Sequence, residues 1–243
     1  NAMDHIWVPT EFHRRVFADG GVHPEKIAVI PEPVDTVFFS PDTSVRFEYP
    51  AEAQPVVGSR RGGGKPYRFL SVFKFEERKG WRFLLEAYLR EFSALAAQGE
   101  REQQGSSSSS NRGSENVELW ILTAPYHAGS DFDPARIIRR FCLEDLGLRE
   151  GQLASLPPVL LLPTGVPNAE MPGVYRGADC LVLPSRGEGW GRPHVEAMST
   201  GLPVIATHWS GPEAFMTEQN SFPLRIDGFD EIEVGQDDGL TVT

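Results

Sequence analysis

Short, almost wholly apolar runs alternate with amphipathic stretches along most of the chain. Five such runs predict strands that are covered on both faces, namely residues 68–73, 117–123, 159–162, 180–183 and 204–207. Apolar side chains at three- and four-residue spacing predict the intervening helices, over residues 79–97, 134–146, 171–177 and 193–200. This alternation predicts an α/β fold, a parallel sheet with helices on both faces.

The beginning of the chain precedes this alternating pattern and has the form of a separate unit. Residues 5–10 predict a strand, residues 11–18 a helix and residues 26–31 a second strand, after which closely spaced prolines turn the chain. We therefore expect residues 4–35 to be the tail of an N-terminal domain with its linker, and residues 1–3 to be a tag remnant.

The alternating pattern occupies residues 36–226, which we predict to be one domain. Residues 99–115 contain five consecutive serines among charged and glycine residues, and residues 51–66 are rich in glycine, proline and charge. Such compositions bury little apolar surface, so both segments are predicted to be flexible surface loops rather than domain boundaries. Residues 227–243 show no closing helix pattern and are expected to be a truncated C-terminal tail.

The charge balance restricts the partners. The formal net charge is −11, which argues against nucleic acid or an anionic membrane as the main partner. No apolar run reaches the roughly 18 residues of a membrane span. Cys142 and Cys180 stand in apolar surroundings without metal-ligand spacing, which predicts buried free thiols, a reducing compartment and a cytoplasmic location.

The candidate chemistry is concentrated in a glycine-spaced loop and the short helix that follows it, residues 185–201. The loop carries Glu188, and the helix carries Glu196 eight positions later. Glycines let the backbone approach a ligand closely, and a helix N-terminus attracts anions, so the backbone of Gly189, Trp190 and Gly191 is a predicted phosphate or sugar contact. Trp190 could instead anchor the loop by packing, and His194 is expected to be structural.

The ends of the predicted strands supply the rest of the site, because ligands bind at the carboxyl ends of parallel strands. Lys74 and Lys79 follow the first main strand and suit a diphosphate, although both are equally compatible with solvated surface lysines. Glu196 suits the vicinal hydroxyls of a ribose, and Glu188 lies nearer the sugar. Thr164, Gly165 and Val166 mark the expected base region.

Other ligand motifs do not fit. Residues 187–191 read G-x-G-x-G and lack the spacing of a nicotinamide fingerprint, and Ser59 and Pro66 stand where a P-loop needs Gly and Ser or Thr. The six histidines show no metal-ligand spacing. The residues themselves therefore indicate a nucleotide-sugar site without a metal.

Residues 185–207 resemble the E-x7-E signature of retaining glycosyltransferases of the GT-B fold, family 4. Four further segments resemble other parts of that family: its interdomain linker, its phosphate motif, the strand before the signature and the loop after it (residues 31–41, 73–80, 175–185 and 209–213). The resemblance covers about residues 4–226. It implies that residues 36–226 are the Rossmann-like donor-binding domain, the C-terminal half of a GT-B enzyme.

The resemblance also implies roles for individual residues. Lys79 matches the family lysine on the donor diphosphate, and Lys74 stands where the family has arginine, which retains the charge but loses the bidentate fork. Glu188 matches the glutamate near the transferred sugar, and Glu196 matches the ribose glutamate. The backbone of Gly189, Trp190 and Gly191 matches the donor-contacting loop.

The implied reaction is transfer of a sugar from a UDP- or GDP-sugar to an acceptor, with retention and without a metal or other cofactor. The acceptor site and the family's catalytic histidine belong to the missing N-terminal domain, so this donor-binding half is expected to be inactive alone. Two alternatives stay open: a non-catalytic nucleotide-sugar-binding module, and another enzyme on the same fold such as a sugar-nucleotide epimerase.

Overall fold

The computed structural model describes residues 3–60, 64–93, 116–125 and 132–229. The predicted loop at 99–115 and most of the predicted tail at 227–243 lie outside these residues. The beginning of the chain forms a two-stranded sheet that is separate from the main sheet. Strands β1 (Ile6–Val8) and β2 (Ile27–Val29) pair with each other in parallel. Helix α1 (Glu11–Asp19) connects them along the chain and is capped at its N-terminus by Thr10.

The main sheet has six parallel strands, which confirms the predicted α/β, Rossmann-like fold. The strands are β3 (Tyr67–Phe75), β4 (Val117–Pro125), β5 (Val159–Leu161), β6 (Cys180–Leu183), β7 (Val204–Thr207) and β8 (Phe222–Leu224). They lie in the order β5-β4-β3-β6-β7-β8. Sequence periodicity missed β8 because this edge strand is three residues long and contains a proline.

In the described part of the chain, four α-helices accompany the sheet: α2 (Trp81–Phe92), α3 (Pro134–Arg140), α4 (Met171–Arg176) and α5 (Arg192–Ser199). A π-helical turn, Phe141–Asp145, continues α3. Helix α2 begins two residues after the predicted start. The reason is a 3-10 turn, Glu77–Lys79, followed by Gly80 in the left-handed conformation with φ of 66°. Lys79 is the last residue of this turn.

The hydrophobic core lies along the middle strands. Leu70, Leu119 and Leu181 occupy neighbouring strands and are fully buried. Their burial accounts for the nearly continuous apolar runs of β3, β4 and β6, because helices and loops cover both faces of a parallel sheet. Cys142 and Cys180 are both buried and unbonded to each other, which confirms the prediction of free thiols.

Residues 51–60 lie against the edge of the main sheet. Val57 is 3% exposed and forms an antiparallel bridge with Val159 in β5. Arg60 donates from Nε to Oε1 of the buried Glu118 in β4, at 2.8 Å. Residues 51–60 therefore contact the sheet through Val57 and Arg60, and the flexible loop that composition predicts for 51–66 stays a prediction. Two consecutive valines among the polar residues were the signal for this contact.

Candidate functional site

A cleft of about 850 Å³ opens at the carboxyl ends of β3 and β4. This is the edge at which a parallel sheet binds its ligands. The apolar part of the cleft includes Val34, Phe38, Phe39, Val72, Phe73 and Leu122. Its charged lining consists of the cations Lys74, Arg78, Lys79 and Arg192 and the carboxylates Asp35, Glu76 and Glu196. An apolar wall beside several cations suits a ligand that carries both a ring and an anionic group.

Lys79 and Glu188 form a close ion pair at the edge of the cleft. The Lys79 Nζ atom lies 2.7 Å from both Oε1 and Oε2 of Glu188, and the two side chains are 15% and 12% exposed. Burial by itself raises the pKa of Glu188. The adjacent Lys79 ammonium and the nearby Arg78 guanidinium outweigh that effect and hold its pKa below the ordinary value. Glu188 is therefore a carboxylate at neutral pH.

Arg78 links the Lys79 turn to the glycine loop. Its Nη1 atom donates to the Gly187 carbonyl at 2.6 Å and lies 3.4 Å from Oε2 of Glu188. Its Nη2 atom donates to Oε1 of Glu76 at 2.7 Å. The Arg186 backbone N–H also donates to the Arg78 carbonyl. One planar guanidinium thus connects two carboxylates from different parts of the chain.

The Glu188 loop is also fixed from its other side, by Ser210. The Glu188 N–H donates to the Ser210 hydroxyl at 2.9 Å, and the Gly211 N–H donates to the Glu188 carbonyl at 3.0 Å. Ser210 has a φ of 63°, a conformation that costs energy for a residue with a side chain. The hydrogen bonds to the Glu188 backbone thus come from a segment that holds Ser210 in a strained conformation.

Glu196 presents its carboxylate to the cleft from helix α5. The buried Tyr175 hydroxyl donates to Oε2 of Glu196 at 2.8 Å, and the exposed Arg192 lies 3.7 Å from Oε1. Burial raises the pKa of Glu196, and the Tyr175 hydrogen bond and the Arg192 charge only partly oppose it. Tyr175 holds one oxygen, so the other is the one better able to accept a hydrogen bond from a ligand.

The structure brings together most of the residues that the sequence predicted. Lys74, Lys79 and Glu196 line the cleft, as do Gly165 and Val166 of the predicted base region. Glu188 contacts Lys79 directly. Thr164 is exposed and is not among the lining residues.

The three predicted backbone contacts of the loop do not line this cleft. Gly189, Trp190 and Gly191 are absent from its lining. The Trp190 ring packs against Phe215 with centroids 5.1 Å apart, which corresponds to the packing role considered for it. Helix α5 begins directly after Gly191, whose φ is 102°.

His194 is buried in the first turn of α5. It is 1% exposed, and its Nδ1 atom lies 2.8 Å from the point where a Cβ on Gly191 would be. Burial lowers the pKa of His194 to about 4. The ring is therefore neutral at physiological pH and fills the space that the glycine at 191 leaves open.

Sequence reasoning missed three side chains of the site, Glu76, Arg78 and Tyr175. Arg78 directly precedes Lys79, and its charge was the available signal. Tyr175 opens the segment that leads into β6, where an aromatic residue is equally typical of core packing. Glu76 is buried at 6% exposure, which nothing in its charged surroundings indicated.

Within the described residues, no group of three or more His, Cys, Asp or Glu side chains is arranged to hold a metal ion. None of the helices in that part of the chain is long and apolar enough to cross a membrane.

Comparison with known sequences shows which class of proteins this chain resembles. Residues 148–231, which include both Glu188 and Glu196, match the family model described as glycosyl transferases group 1. The O-antigen chain mannosyltransferase B of Escherichia coli is 30% identical over 159 residues, which are 65% of this chain and 33% of that protein. A D-inositol 3-phosphate glycosyltransferase of Corynebacterium urealyticum is 37% identical over 89 residues, 37% of this chain and 20% of that protein.

Solved structures share the fold. The Anabaena HepE protein in complex with UDP and glucose matches with a TM-score of 0.58 and 16% identity, over 91% of this chain and 49% of that one. An α,α-trehalose-phosphate synthase (UDP-forming) from Burkholderia vietnamiensis matches with a TM-score of 0.59 and 13% identity, over 92% and 49%. The chain thus spans about half the length of these two solved structures and a third or less of the curated relatives.

Proposed function

We propose that this chain is the donor-binding half of a glycosyltransferase that moves a sugar from a nucleotide-diphosphate sugar to an acceptor. The observation that carries the proposal is that Lys79 and Glu196 line one cleft of about 850 Å³, with Glu188 bonded to Lys79 at its edge. Residues of this type at the carboxyl ends of parallel strands suit a ligand with a diphosphate and a ribose. The match of residues 148–231 to group 1 glycosyl transferases supports the same conclusion.

Each side chain has a part in the proposed reaction. Lys79 and Lys74 offset the charge that develops on the leaving diphosphate, with no metal required. Glu196 accepts hydrogen bonds from the ribose hydroxyls. Glu188 faces the transferred sugar while its anomeric carbon gains positive character. The resemblance to family 4 enzymes supports attack by the acceptor from the face that the diphosphate leaves, and so retention.

The donor is proposed to be a UDP-sugar. The structure of HepE with UDP and glucose and the UDP-forming synthase share the fold, and that likeness motivates the choice. A GDP-sugar is the next candidate. The acceptor site and the remaining catalytic groups are proposed to belong to an N-terminal domain, so that the present chain binds donor but transfers little sugar alone. A cytoplasmic location is proposed from the free thiols.

Calorimetry with UDP, GDP and ADP tests the donor site, and Glu196→Ala is the informative variant. Loss of its carboxylate leaves ribose hydroxyls without partners, so binding of the preferred diphosphate is expected to weaken by about 1–3 kcal/mol, roughly five- to 150-fold in Kd. Glu218→Ala, which removes an exposed carboxylate paired with Arg225, is the control and should bind normally. Equal affinity for the Glu196 variant and the unaltered chain would exclude the ribose role.

A non-catalytic nucleotide-sugar-binding module is the second candidate, and the lysine at position 74 favours it. A lysine holds a phosphate without the bidentate geometry of arginine. Assays of the chain together with its N-terminal domain separate the two candidates. Sugar transfer that Glu188→Gln reduces mainly in kcat supports the enzyme, and binding without any transfer supports the module.

A further inference from the structure

Two buried carboxylates and two cations form a compact cluster beside the cleft. Glu76 and Glu188 supply the negative charges, at 5% and 12% side-chain exposure, and Arg78 and Lys79 supply the positive ones. The cluster is balanced as it stands. A diphosphate entering the cleft upsets this balance, because it competes with Glu188 for the ammonium of Lys79.

The geometry of Lys79 makes this competition direct. An ammonium has three N–H donors, and both oxygens of Glu188 already lie 2.7 Å from Nζ. Lys79 must give up part of that contact to engage several oxygens of a diphosphate. Glu188 then needs another group to stay charged and in place, because an unpaired buried carboxylate is costly.

We propose that Arg78 is a positioning residue that holds Glu188 and its loop while Lys79 turns from Glu188 to the donor diphosphate. The inference rests on the proposed function and extends it. Arg78 is anchored on Glu76 through Nη2, so it stays in place when Lys79 moves. Its Nη1 atom already lies on Gly187 O and near Oε2 of Glu188.

Arginine suits this task and lysine does not. The planar guanidinium carries donors on both of its terminal nitrogens, so it bonds Glu76 on one side and the glycine loop on the other. A lysine at this position retains the positive charge but has a single nitrogen. Arg78→Lys therefore keeps the positive charge of the cluster but removes the second nitrogen that connects Glu76 with the glycine loop.

The test compares binding of UDP with binding of the tightest of UDP-glucose, UDP-galactose and UDP-N-acetylglucosamine to the unaltered chain and to Arg78→Lys. UDP affinity is expected to stay within about twofold, because the new lysine keeps a positive charge beside Glu188 when Lys79 turns to the diphosphate. The extra affinity given by the sugar is expected to fall about fivefold or more, because the glycine loop loses the guanidinium that positions it. Arg82→Lys is the matched control, since Arg82 is equally exposed and also pairs with two carboxylates.

Glu188→Gln supplies a second, independent readout. Because Lys79 loses its charged partner, UDP alone is expected to bind the variant more tightly than the unaltered chain, by about fivefold. UDP affinity that is unchanged or weaker in Glu188→Gln overturns the competition for Lys79.

Two other results overturn the role of Arg78. One is a sugar contribution that is the same in Arg78→Lys as in the unaltered chain, or that is absent from both. The other is a parallel loss of UDP and UDP-sugar binding with a lowered Tm, which makes Arg78 merely structural. An unaltered chain that binds no nucleotide contradicts the proposed function itself, so the two failures are distinguishable.

Discussion

At the residue scale, the site consists of carboxylates whose protonation is set by their immediate neighbours. Glu188 and Glu196 come from the same loop-and-helix segment, yet their pKa values move in opposite directions. Lys79 and Arg78 keep Glu188 ionised in spite of its burial. Glu196 has only a tyrosine hydroxyl and an exposed arginine, so burial prevails and raises its pKa. The two carboxylates are thus suited to different tasks.

His194 makes a prediction for the stability of the domain in acid. Its pKa is about 4 in the folded protein and 6.5 in the unfolded chain, so the unfolded state binds more protons between these values. The free energy of unfolding should fall as the pH is lowered from 6.5 towards 4, by up to about 3 kcal/mol from this residue. Urea unfolding across this pH range measures the fall.

The control is His194→Leu, which fills the same space without a titrating group. The free energy of unfolding of this variant should change less over the same pH range. The Asp and Glu carboxylates still titrate in both proteins. Parallel profiles for the two proteins would show that His194 is not the cause.

The residue types of the site were largely predictable, and their contacts were not. Glycine spacing and strand ends identified Lys79, Glu188 and Glu196 from the sequence. The sequence did not indicate that Lys79 and Glu188 bond to each other, because that contact joins positions 109 residues apart. Arg78 was missed for the same reason, since its partners on the glycine loop are equally distant along the chain.

At the element scale, the turn between β3 and α2 meets the end of β6 at Gly80. A Cβ on Gly80 would lie 2.0 Å from the Pro184 carbonyl oxygen, and the residue has a φ of 66°. Gly80→Ala should therefore destabilise the domain by about 3 kcal/mol or more, because a backbone atom cannot move aside cheaply. Thermal and urea unfolding give the size of the loss.

Gly147 provides the comparison for Gly80. Its φ is 65°, but a Cβ there would meet nothing within 4 Å. Gly147→Ala should cost only about 1 kcal/mol, the strain of the left-handed conformation alone. Similar losses for both variants would show that the contact with Pro184 is not what requires glycine.

The sequence predicted the bounds of some strands better than those of others. The predicted bounds of β6 and β7 agree with the structure, whereas β3 and β4, which are also flanked on both sides, each run two residues past the predicted end because their pairing continues. Prediction was poorer at β8, where exposed Phe222 shows the edge of the sheet. It was also poorer at the start of α2, where the 3-10 turn and Gly80 replace a regular first turn.

At the scale of the whole molecule, residues 51–60 are held against the edge of the sheet by the ion pair between Arg60 and the buried Glu118. Glu118 accepts hydrogen bonds from Arg60 and from the Trp120 indole, and Arg68 lies 3.5 Å away. Arg60→Ala should lower the free energy of unfolding by about 1–3 kcal/mol, because Glu118 loses its closest cationic partner. Limited proteolysis should then cleave near residues 51–60 earlier than in the unaltered chain.

Lys65→Ala is the control for this prediction. Lys65 is 71% exposed and pairs loosely with Asp179, so its removal should change neither stability nor cleavage measurably. If Arg60→Ala behaves like Lys65→Ala, the ion pair of Arg60 with Glu118 is not what holds residues 51–60 against the sheet.

The pairing of charges around the cleft has a consequence for how such a site is recognised. Among the residues that the structure describes, its cations are Lys74, Arg78, Lys79 and Arg192, and the carboxylates beside them are Asp35, Glu76, Glu188 and Glu196. Equal numbers of opposite charges at short range project little field into the solvent. A map of surface potential would therefore show no basic patch here, on a molecule whose net charge is −11. An anion reaches such a site by exchanging partners at contact distance, and its arrival should be slow compared with ligands that are steered by a field.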